Sequence, residues 1–153
     1  MIKILAVGKI KDKNLLALIK DYQKRIAHFD KIEIIELKDY PGENNELMAI
    51  ESECESIMAK IKDNEYLILL DLHGSNYSSP SFAKELDTIY SSTNTNITFV
   101  IGGSYGLSDK LRIRANLSWK LSDLTFPHQI VRLLLLEQIY RAFKINNNHK
   151  YHK

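Results

Sequence analysis

The chain has 153 residues, of which 44% are hydrophobic and 26% are charged, and its formal net charge is +2. This composition is typical of a soluble globular protein and predicts one domain over residues 1–153 with a single core. No apolar run approaches the roughly 20 residues that cross a bilayer, and the N-terminal segment lacks the features of a signal peptide. The one cysteine, Cys54, cannot form an internal disulfide. We therefore expect a cytoplasmic protein that does not enter a membrane.

Apolar segments typical of buried strands alternate along the chain with amphipathic segments typical of helices. We predict strands over residues 2–7, 32–37, 66–72, 97–101 and 117–121. We predict helices over residues 12–28, 46–61, 80–90, 108–116 and from 127 to at least 143. In the second helix we expect the acids to face water and the core-facing positions to be Leu47, Ile50, Ile57 and Ile61. The alternation predicts an α/β fold, with a mostly parallel sheet and helices on both faces.

The last predicted helix is apolar on all sides. It begins near Pro127, which suits a first helical turn because its missing N–H would find no partner there. Residues 133–136 are four leucines, which at about 100° per residue point in four separate directions. Such a helix needs a second cover besides its own sheet, and we expect another copy of the chain. We predict a homodimer through this helix, in which Leu135→Glu gives a monomer or an insoluble protein; a core helix with polar ends is the alternative.

Three loops follow predicted strands, at residues 72–74, 102–106 and 122–127. Ligands of open α/β sheets bind outside the carboxyl ends of the strands, so we expect these loops to line one pocket. Gly102 and Gly103 lack a Cβ, which lets the backbone approach a ligand closely. The motif is neither a Walker phosphate loop nor GxGxxG, and a tight turn without a ligand is the alternative.

The charge of the chain is unevenly distributed. Residues 1–31 hold eight Lys or Arg against three Asp or Glu, residues 32–65 hold three against ten, and residues 110–153 hold nine against two. Two basic ends around an acidic middle are typical of a protein that presents a basic surface to a polyanion. Charge patterning that only keeps the protein in solution is the alternative.

Three motifs carry a resemblance to a known family. They are FVIGGSYGLSD (residues 99–109), LTFPHQIVRLLLLEQIYRAF (residues 124–143) and the ending HKYHK (residues 149–153). Together with the opening ILAVGKIKDK, they resemble the small SPOUT-class methyltransferases of ribosomal RNA. Within that class they resemble the RlmH family, which methylates N3 of a pseudouridine in large-subunit (23S) ribosomal RNA. The resemblance covers essentially the whole chain, although residues 40–62 match only in general character.

The resemblance implies a fold, a cofactor and an assembly. The fold would be an α/β sheet whose C-terminal segment passes through a loop and forms a trefoil knot. The loops of the knot would bind S-adenosylmethionine, and two chains would pack through the C-terminal helix. The family's cofactor-binding positions correspond to Leu72, Gly74, Gly102, Gly103, Gly106, Ser122, Asp123, Leu124, Thr125, Phe126 and Pro127. We expect no metal.

Methyl transfer to a base nitrogen requires that the nucleophile, the methyl group and the sulfur be aligned. The N3 imide of a uridine-type base is a poor nucleophile until its proton leaves, so a positioned base or a positive charge should help. The candidate catalytic residues are His128, Arg141, Tyr151 and His152. For His128 the alternative is a structural role that fixes the preceding loop, and for Arg141 it is an ion pair across the dimer.

The C-terminal tail alternates flat rings with cations, the combination with which proteins hold unstacked RNA bases and neutralise phosphates. The candidate RNA-binding residues are Lys9, Lys11, Arg132, His149, Lys150, Tyr151 and Lys153. We therefore expect ribosomal RNA or the ribosome as the partner. Solvated surface charge is the alternative for Lys9 and Lys11.

Two other functions stay open from the sequence: a non-catalytic RNA-binding or ribosome-assembly protein of the same fold, and an α/β enzyme that acts on a nucleotide-like small molecule. Binding of S-adenosylmethionine separates the first of these from a methyltransferase. Removal of residues 151–153 tests the second, because an enzyme of small molecules should keep most of its activity without that tail.

Overall fold

The computed structural model describes residues 1–42 and 45–153. The strands are β1 (Ile2–Val7), β2 (Ile32–Leu37), β3 (Tyr66–Asn76), β4 (Ile97–Ile101) and β5 (Leu117–Lys120). The helices are α1 (Lys13–Ile26), α2 (Glu46–Met58), α3 (Ser79–Ser92), α4 (Asp109–Arg114) and α5 (His128–Asn146). Each strand and helix that the sequence predicts is therefore present, with ends that differ by a few residues.

The five strands form one sheet in the order β2-β1-β4-β3-β5, and every neighbouring pair is parallel. Ile4 of β1, for example, lies between Ile34 of β2 and Phe99 of β4. Because all strands run in one direction, the carboxyl ends of the neighbours β4, β3 and β5 meet at the same edge. The prediction of an α/β fold with a parallel sheet is confirmed.

Helices cover both faces of the sheet. On one face, α1, α3 and α5 enclose a core that includes Ile4 and Phe99. On the other face, α2 and α4 enclose a second core that includes Leu5 and Val100. Successive residues of a strand point to opposite faces, so a strand buried on both sides is apolar throughout. This explains why residues 2–7 and 97–101 are apolar except for Lys3 and Thr98.

Strand β3 is longer than predicted and is interrupted. Leu70 and Ser75 both pair with Trp119 of β5, so residues 71–74 leave the ladder between the two paired stretches. We predicted that the strand ends at residue 72, because a His-Gly-Ser sequence normally marks a turn. The structure shows a detour instead, after which the strand resumes as far as Asn76.

Helix α2 agrees only in part with the prediction: Ile57 is buried as expected, but two other residues are not where they were placed. Leu47, expected in the core, is 77% exposed, whereas Glu53, expected in water, is 2% exposed. The buried positions Ala49, Glu53 and Ile57 follow a spacing of four and so share one face of the helix. Residue type alone therefore misplaced both Leu47 and Glu53.

Helix α5 begins at His128, and Pro127 is its N-cap rather than its first helical residue. The carbonyl of Pro127 accepts the N–H groups of Ile130 and Val131 at 2.9 and 3.1 Å. The helix lies against α1 and α3, and this packing buries Leu135 completely. Leu135→Glu would therefore disrupt the core of one subunit and does not test a dimer, which corrects the prediction. The knotted path of the C-terminal segment stays a prediction.

Candidate active site

A cleft of about 640 Å³ opens at the carboxyl ends of β3, β4 and β5. All three loops that the sequence singled out contribute to its walls. The predicted residues that line it are Leu72, Gly102, Gly103, Gly106, Ser122, Leu124, Thr125, Phe126, Pro127 and His128. The loops converge because they leave neighbouring strands of a parallel sheet at the same edge, the usual position of ligands in open α/β sheets.

The loop after β4 turns sharply beside the cleft. The N–H of Gly106 donates to the carbonyl of Gly103 at 3.2 Å, and Gly106 has a φ of +93°, which favours glycine. Between them, the ring of Tyr105 lines the cleft and lies against Gly42, a site with no room for a Cβ. The turn therefore depends both on its own glycines and on the loop that follows β2.

Asp71 and Arg112 form a polar wall of the cleft that the sequence reasoning missed. The Nε of Arg112 donates to Oδ2 of Asp71 at 2.7 Å, and the N–H of His73 donates to Oδ1 at 3.1 Å. Burial alone would raise the pKa of Asp71, but these hydrogen bonds lower it below its ordinary value. Asp71 thus stays ionised and holds the segment that leaves β3. The available signal was an acid within an otherwise apolar strand.

Two predicted cofactor positions do not line the cleft. Gly74 lies against the backbone of Ser118 and Trp119, so its missing Cβ permits the close approach of β3 to β5. The carboxylate of Asp123 is exposed and accepts from the ammonium of Lys120 at 2.6 Å. In this structure Gly74 therefore serves a backbone contact, and Asp123 forms a surface ion pair.

His128 lies between the cleft and the end of β1. Its Nε2 is 3.5 Å from the position that a Cβ on Gly8 would occupy. Gly8 has a φ of +90°, a conformation that favours glycine, so the ring of His128 lies beside the turn that ends β1. The ring can therefore both meet a ligand in the cleft and fix the start of α5.

The other candidate catalytic residues lie together near the opposite end of α5. The Nη2 of Arg141 donates to Oε1 of Glu137 at 2.6 Å, and its Nη1 lies 3.2 Å from Nδ1 of His152. The guanidinium also lies 4.7 Å from the ring centroid of Tyr151, whose hydroxyl donates to Glu137 at 3.2 Å. The C-terminal tail thus folds back on its own helix.

The surroundings of Tyr151 favour its protonated form. Burial, together with neighbouring Tyr22 and Glu137, raises the pKa of Tyr151 to about 12. Its ring also meets that of Tyr140 edge to face, with 5.0 Å between centroids. In this arrangement the hydroxyl is a hydrogen-bond donor and not a general base.

The two groups of candidate catalytic residues are far apart within one chain. His128 and Arg141 are separated along α5 by about 20 Å, at about 1.5 Å per helical residue. The tail residues Tyr151 and His152 do not line the cleft. One chain therefore does not bring its own tail to its own cleft in this structure.

The predicted RNA-binding residues divide by exposure. Those exposed are Lys9, Lys11, His149, Lys150 and Lys153, whereas Tyr151 is partly buried. Arg132 is only 1% exposed, and its Nη1 donates to Glu36 at 2.7 Å while its Nη2 donates to the carbonyl of Gly8 at 3.1 Å. The assignment of Arg132 to RNA binding is therefore corrected: it fastens α5 to the ends of β1 and β2.

The described residues contain neither a metal-binding group nor a membrane-spanning helix. Over residues 1–42 and 45–153, no group of three or more His, Cys, Asp or Glu side chains is placed to hold a metal ion. Within the same ranges, no helix has the length and apolar character needed to span a membrane.

Comparison with known proteins agrees with the fold. Residues 1–152 match a family model described as a predicted SPOUT methyltransferase. Proteins named ribosomal RNA large subunit methyltransferase H are similar over 99% of this chain and 99% of their own length: 45% identity in Clostridium perfringens (strain 13), 43% in Acetivibrio thermocellus and 46% in Latilactobacillus sakei. The structure of a probable methylase family protein from Haemophilus influenzae aligns with a TM-score of 0.56 at 13% identity, over 99% of this chain and 70% of that one.

Proposed function

Because the chain belongs to the SPOUT methyltransferase family, we propose that it transfers a methyl group from S-adenosylmethionine to N3 of a pseudouridine in large-subunit ribosomal RNA, in the cytoplasm and as a homodimer. The observation that carries the proposal is the cleft formed by three strand-end loops. The names of the relatives as large subunit methyltransferases support the class of substrate.

The chemistry of the cleft fits S-adenosylmethionine. Its volume lies within the range of about 300–1,000 Å³ that small-molecule sites occupy. Apolar side chains such as Leu72, Leu124 and Phe126 offer a surface for an adenine ring, and the loop backbones offer N–H and carbonyl groups for its edge. When bound, the cofactor would supply a methyl group on a sulfonium. The protein's task is then to orient the donor and exclude water.

We propose that the tail of one subunit completes the cleft of the other. Ile130 is 38% exposed near the start of α5, and Leu134 is partly exposed one turn later. A two-fold axis between them would pair two α5 helices in opposite directions. Arg141 follows that axis by about nine residues, and residues 123–127 precede it by five to nine, so each tail would approach the partner's third loop. Tyr151, His152 and the tail's cations would then meet the target nucleotide beside the donor.

Calorimetry and methylation assays test the activity. We expect heat of binding with S-adenosylmethionine, and transfer of its methyl group to ribosomes from cells that lack this modification, with the modified base mapped by mass spectrometry. Removal of residues 151–153 should abolish RNA methylation and leave cofactor binding intact. A folded protein that binds no cofactor would favour a non-catalytic RNA-binding protein. Methylation that survives removal of the tail would exclude the tail from the site.

A mixture of two inactive variants tests the shared site. Gly103→Val damages the cleft and Tyr151→Ala damages the tail. If the tail serves the partner, a mixed dimer contains one intact cleft facing one intact tail, so mixing should restore activity. If each tail serves its own chain, every site keeps a lesion and the mixture stays inactive.

Light scattering tests the dimer surface. We expect Ile130→Glu to give a folded monomer, because an ionised carboxylate would replace an exposed apolar contact. The matched control is Ile113→Glu, at an isoleucine that is 86% exposed on α4, on the other face of the sheet. Unchanged dimers with both variants would exclude the start of α5 as the interface.

A further inference from the structure

Glu53 lies beneath the glycine turn of the cleft, and the proposed reaction assigns it no role. Its side chain is buried, on the face of α2 that is turned toward the sheet. Its two carboxylate oxygens lie 2.8 and 2.9 Å from the position that a Cβ on Gly103 would occupy, and Val7 of β1 lies 3.1 Å from the same position. The absence of a Cβ at residue 103 therefore makes room for this carboxyl group rather than for a ligand.

The hydrogen bonds of Glu53 are incomplete. Oε1 accepts the N–H of Tyr40 in a long bond of 3.4 Å, and the backbone of Gly103 faces the carboxyl group. Oε2 is buried and has no hydrogen-bond partner among residues 1–42 and 45–153. A buried carboxyl group without full hydrogen bonding is costly, so this one calls for an explanation other than stability.

Glu53 also connects two loops that meet at the cleft. Tyr40 belongs to the loop after β2, and Gly103 begins the turn after β4. The same two loops touch again where the ring of Tyr105 lies against Gly42. The loop after β2 and the glycine turn are therefore connected twice, once through Glu53 and once through the contact between Tyr105 and Gly42.

We propose that Glu53 is a positioning residue for the methyl donor: in its ionised form it accepts from the backbones of Tyr40 and Gly103 and holds the turn at residues 103–106 in the shape that receives the donor. The inference rests on the proposed S-adenosylmethionine site. It gives a role to part of the acidic middle of the chain.

The charges around Glu53 make this role dependent on pH. Burial, with the nearby carboxylate of Asp39, raises the pKa of Glu53 to about 7, while the backbone groups of Tyr40 and Gly103 act in the opposite direction. Within the described residues, Asp39 is the charged group that acts on it from the loop after β2; β1 contributes a methyl group of Val7 and the glycine turn contributes backbone. The ammonium of Lys38 lies over the ring of Tyr40, 5.0 Å from its centroid.

The direction of the effect follows from the two protonation states. Above pH 7 the carboxylate accepts from both loops and the turn is held. Below pH 7 the carboxyl group is neutral and accepts hydrogen bonds more weakly than the carboxylate, so the turn loosens. Donor affinity should therefore fall as the pH falls through 7, and binding of the donor should in turn lower the pKa of Glu53.

Calorimetric titration with S-adenosylmethionine at pH 6, 7 and 8 tests the proposal. For the wild type we expect affinity roughly tenfold weaker at pH 6 than at pH 8, because a group with a pKa near 7 is about nine-tenths protonated at pH 6. Glu53→Gln keeps the shape and cannot ionise, so it should bind weakly at every pH. The matched control is Glu51→Gln, an exposed acid on the same helix, which should behave as the wild type.

The outcomes separate the two proposals. A wild type that binds no donor at any pH would overturn the proposed function. A wild type that binds well, with a Glu53→Gln variant of equal affinity and equal pH dependence, would overturn the role of Glu53 alone. Residual pH dependence in Glu53→Gln reports groups other than Glu53 and is subtracted.

A second measurement needs no variant and so does not depend on its folding. Carboxyl carbon shifts followed by NMR should give a midpoint near 7 for Glu53 in the free protein. Saturation with S-adenosylmethionine should move that midpoint downward by about one unit or more if ionisation and donor binding are coupled. A midpoint that stays unchanged on saturation would contradict the proposal.

Discussion

Glu53 and Glu65 are both buried glutamates. Glu53 lies beside the carboxyl ends of the strands, and Glu65 lies beside their amino ends. Glu65 lies at the edge where β3 begins, and both its oxygens have strong partners: Lys3 at 2.8 Å to Oε1 and 2.7 Å to Oε2, and Thr98 at 2.8 Å to Oε2. Glu53 lies at the edge of the cleft; in the part of the chain that the structure describes, it has one long hydrogen bond and one oxygen without a partner. The two carboxyl groups are therefore equally buried, but only that of Glu65 has a hydrogen-bond partner on each oxygen.

The difference appears in the protonation of the two groups. Burial alone would raise the pKa of Glu65, but Lys3, Thr98 and Asn96 together lower it below its ordinary value. Burial raises the pKa of Glu53 to about 7, and no cation of the described residues compensates. A buried carboxylate with a complete set of partners serves the fold, whereas one whose pKa is shifted toward neutrality beside a cleft is a candidate functional group.

The largest expected effect is at the satisfied glutamate. Lys3→Met keeps most of the side-chain volume but leaves Glu65 buried without its cation, which should lower the free energy of unfolding by about 3–5 kcal/mol. Urea denaturation at pH 7.5 measures the loss. Affinity for S-adenosylmethionine in the protein that remains folded should be unchanged, because Lys3 lies at the far edge of the sheet.

The control for this prediction is the double variant Lys3→Met/Glu65→Gln. It removes both charges, so it should recover much of the stability that the single variant loses. A double variant that is no more stable than Lys3→Met would mean that the charge left on Glu65 is not the cause of the loss.

The next effect concerns the other edge. Gly103→Val should weaken binding of S-adenosylmethionine at least tenfold, because its side chain would collide with the carboxyl group of Glu53 and with Val7 and displace the turn. Calorimetry measures the affinity. Adding Glu53→Ala removes one of the colliding groups, so the two substitutions should cost less together than the sum of their separate effects. If the two losses of binding free energy simply add, the effect of Gly103→Val does not arise from a collision with Glu53.

The pH dependence of stability should have opposite signs for the two glutamates. The pKa of Glu65 is lowered in the folded state, so its contribution is present above its ordinary pKa of about 4.5 and is lost as the pH falls below it. The pKa of Glu53 is raised to about 7, so the folded state retains a proton that the unfolded state has released, and stability falls as the pH rises from about 4.5 to 7.

Thermal unfolding of Glu53→Gln measures this second term. At pH 5 the wild-type carboxyl group is protonated and resembles the amide, so the melting temperatures should be similar. At pH 8 the variant should melt a few degrees higher than the wild type, even though it binds the donor less well. If the melting temperature of the variant minus that of the wild type is lower at pH 8 than at pH 5, the predicted destabilisation by ionised Glu53 is wrong.

The smaller of the two stability effects at Glu65 is expected at Thr98. Thr98→Val removes the hydroxyl that donates to Oε2 of Glu65 but keeps the shape and the cation, so it should cost only about 1–2 kcal/mol. Urea denaturation beside Lys3→Met measures the difference. A loss as large as that of Lys3→Met would mean that the hydroxyl, rather than the cation, holds Glu65 in place.

The sequence was sufficient for the order of the elements, the parallel sheet and the three loops of the cleft. These features depend on local signals: apolar runs that identify buried strands, helical periodicity, and glycines such as Gly103 and Gly106 at the ends of strands. The parallel topology then brings the strand ends together, so the position of the cleft follows from the element order.

Only the tertiary structure decided which charged residues are buried. Arg132 meets Glu36 across 96 residues of sequence, and Glu53 meets Gly103 across 50. Local patterns assign both charged groups to the surface, because their burial depends on partners that the fold brings from other elements. The same holds for Leu135, which packing between α1 and α3 encloses while neighbouring Ile130 stays exposed.

The C-terminal tail shows most clearly which properties the sequence determines and which the tertiary structure determines. Its rings and cations could be read directly from the sequence, and so could their suitability for RNA. Their position about 20 Å along α5 from the cleft could not, because it depends on the length of one straight helix and on how the chain folds back at its end. Residue chemistry thus came from the sequence, while the distances between reactive groups were set by packing.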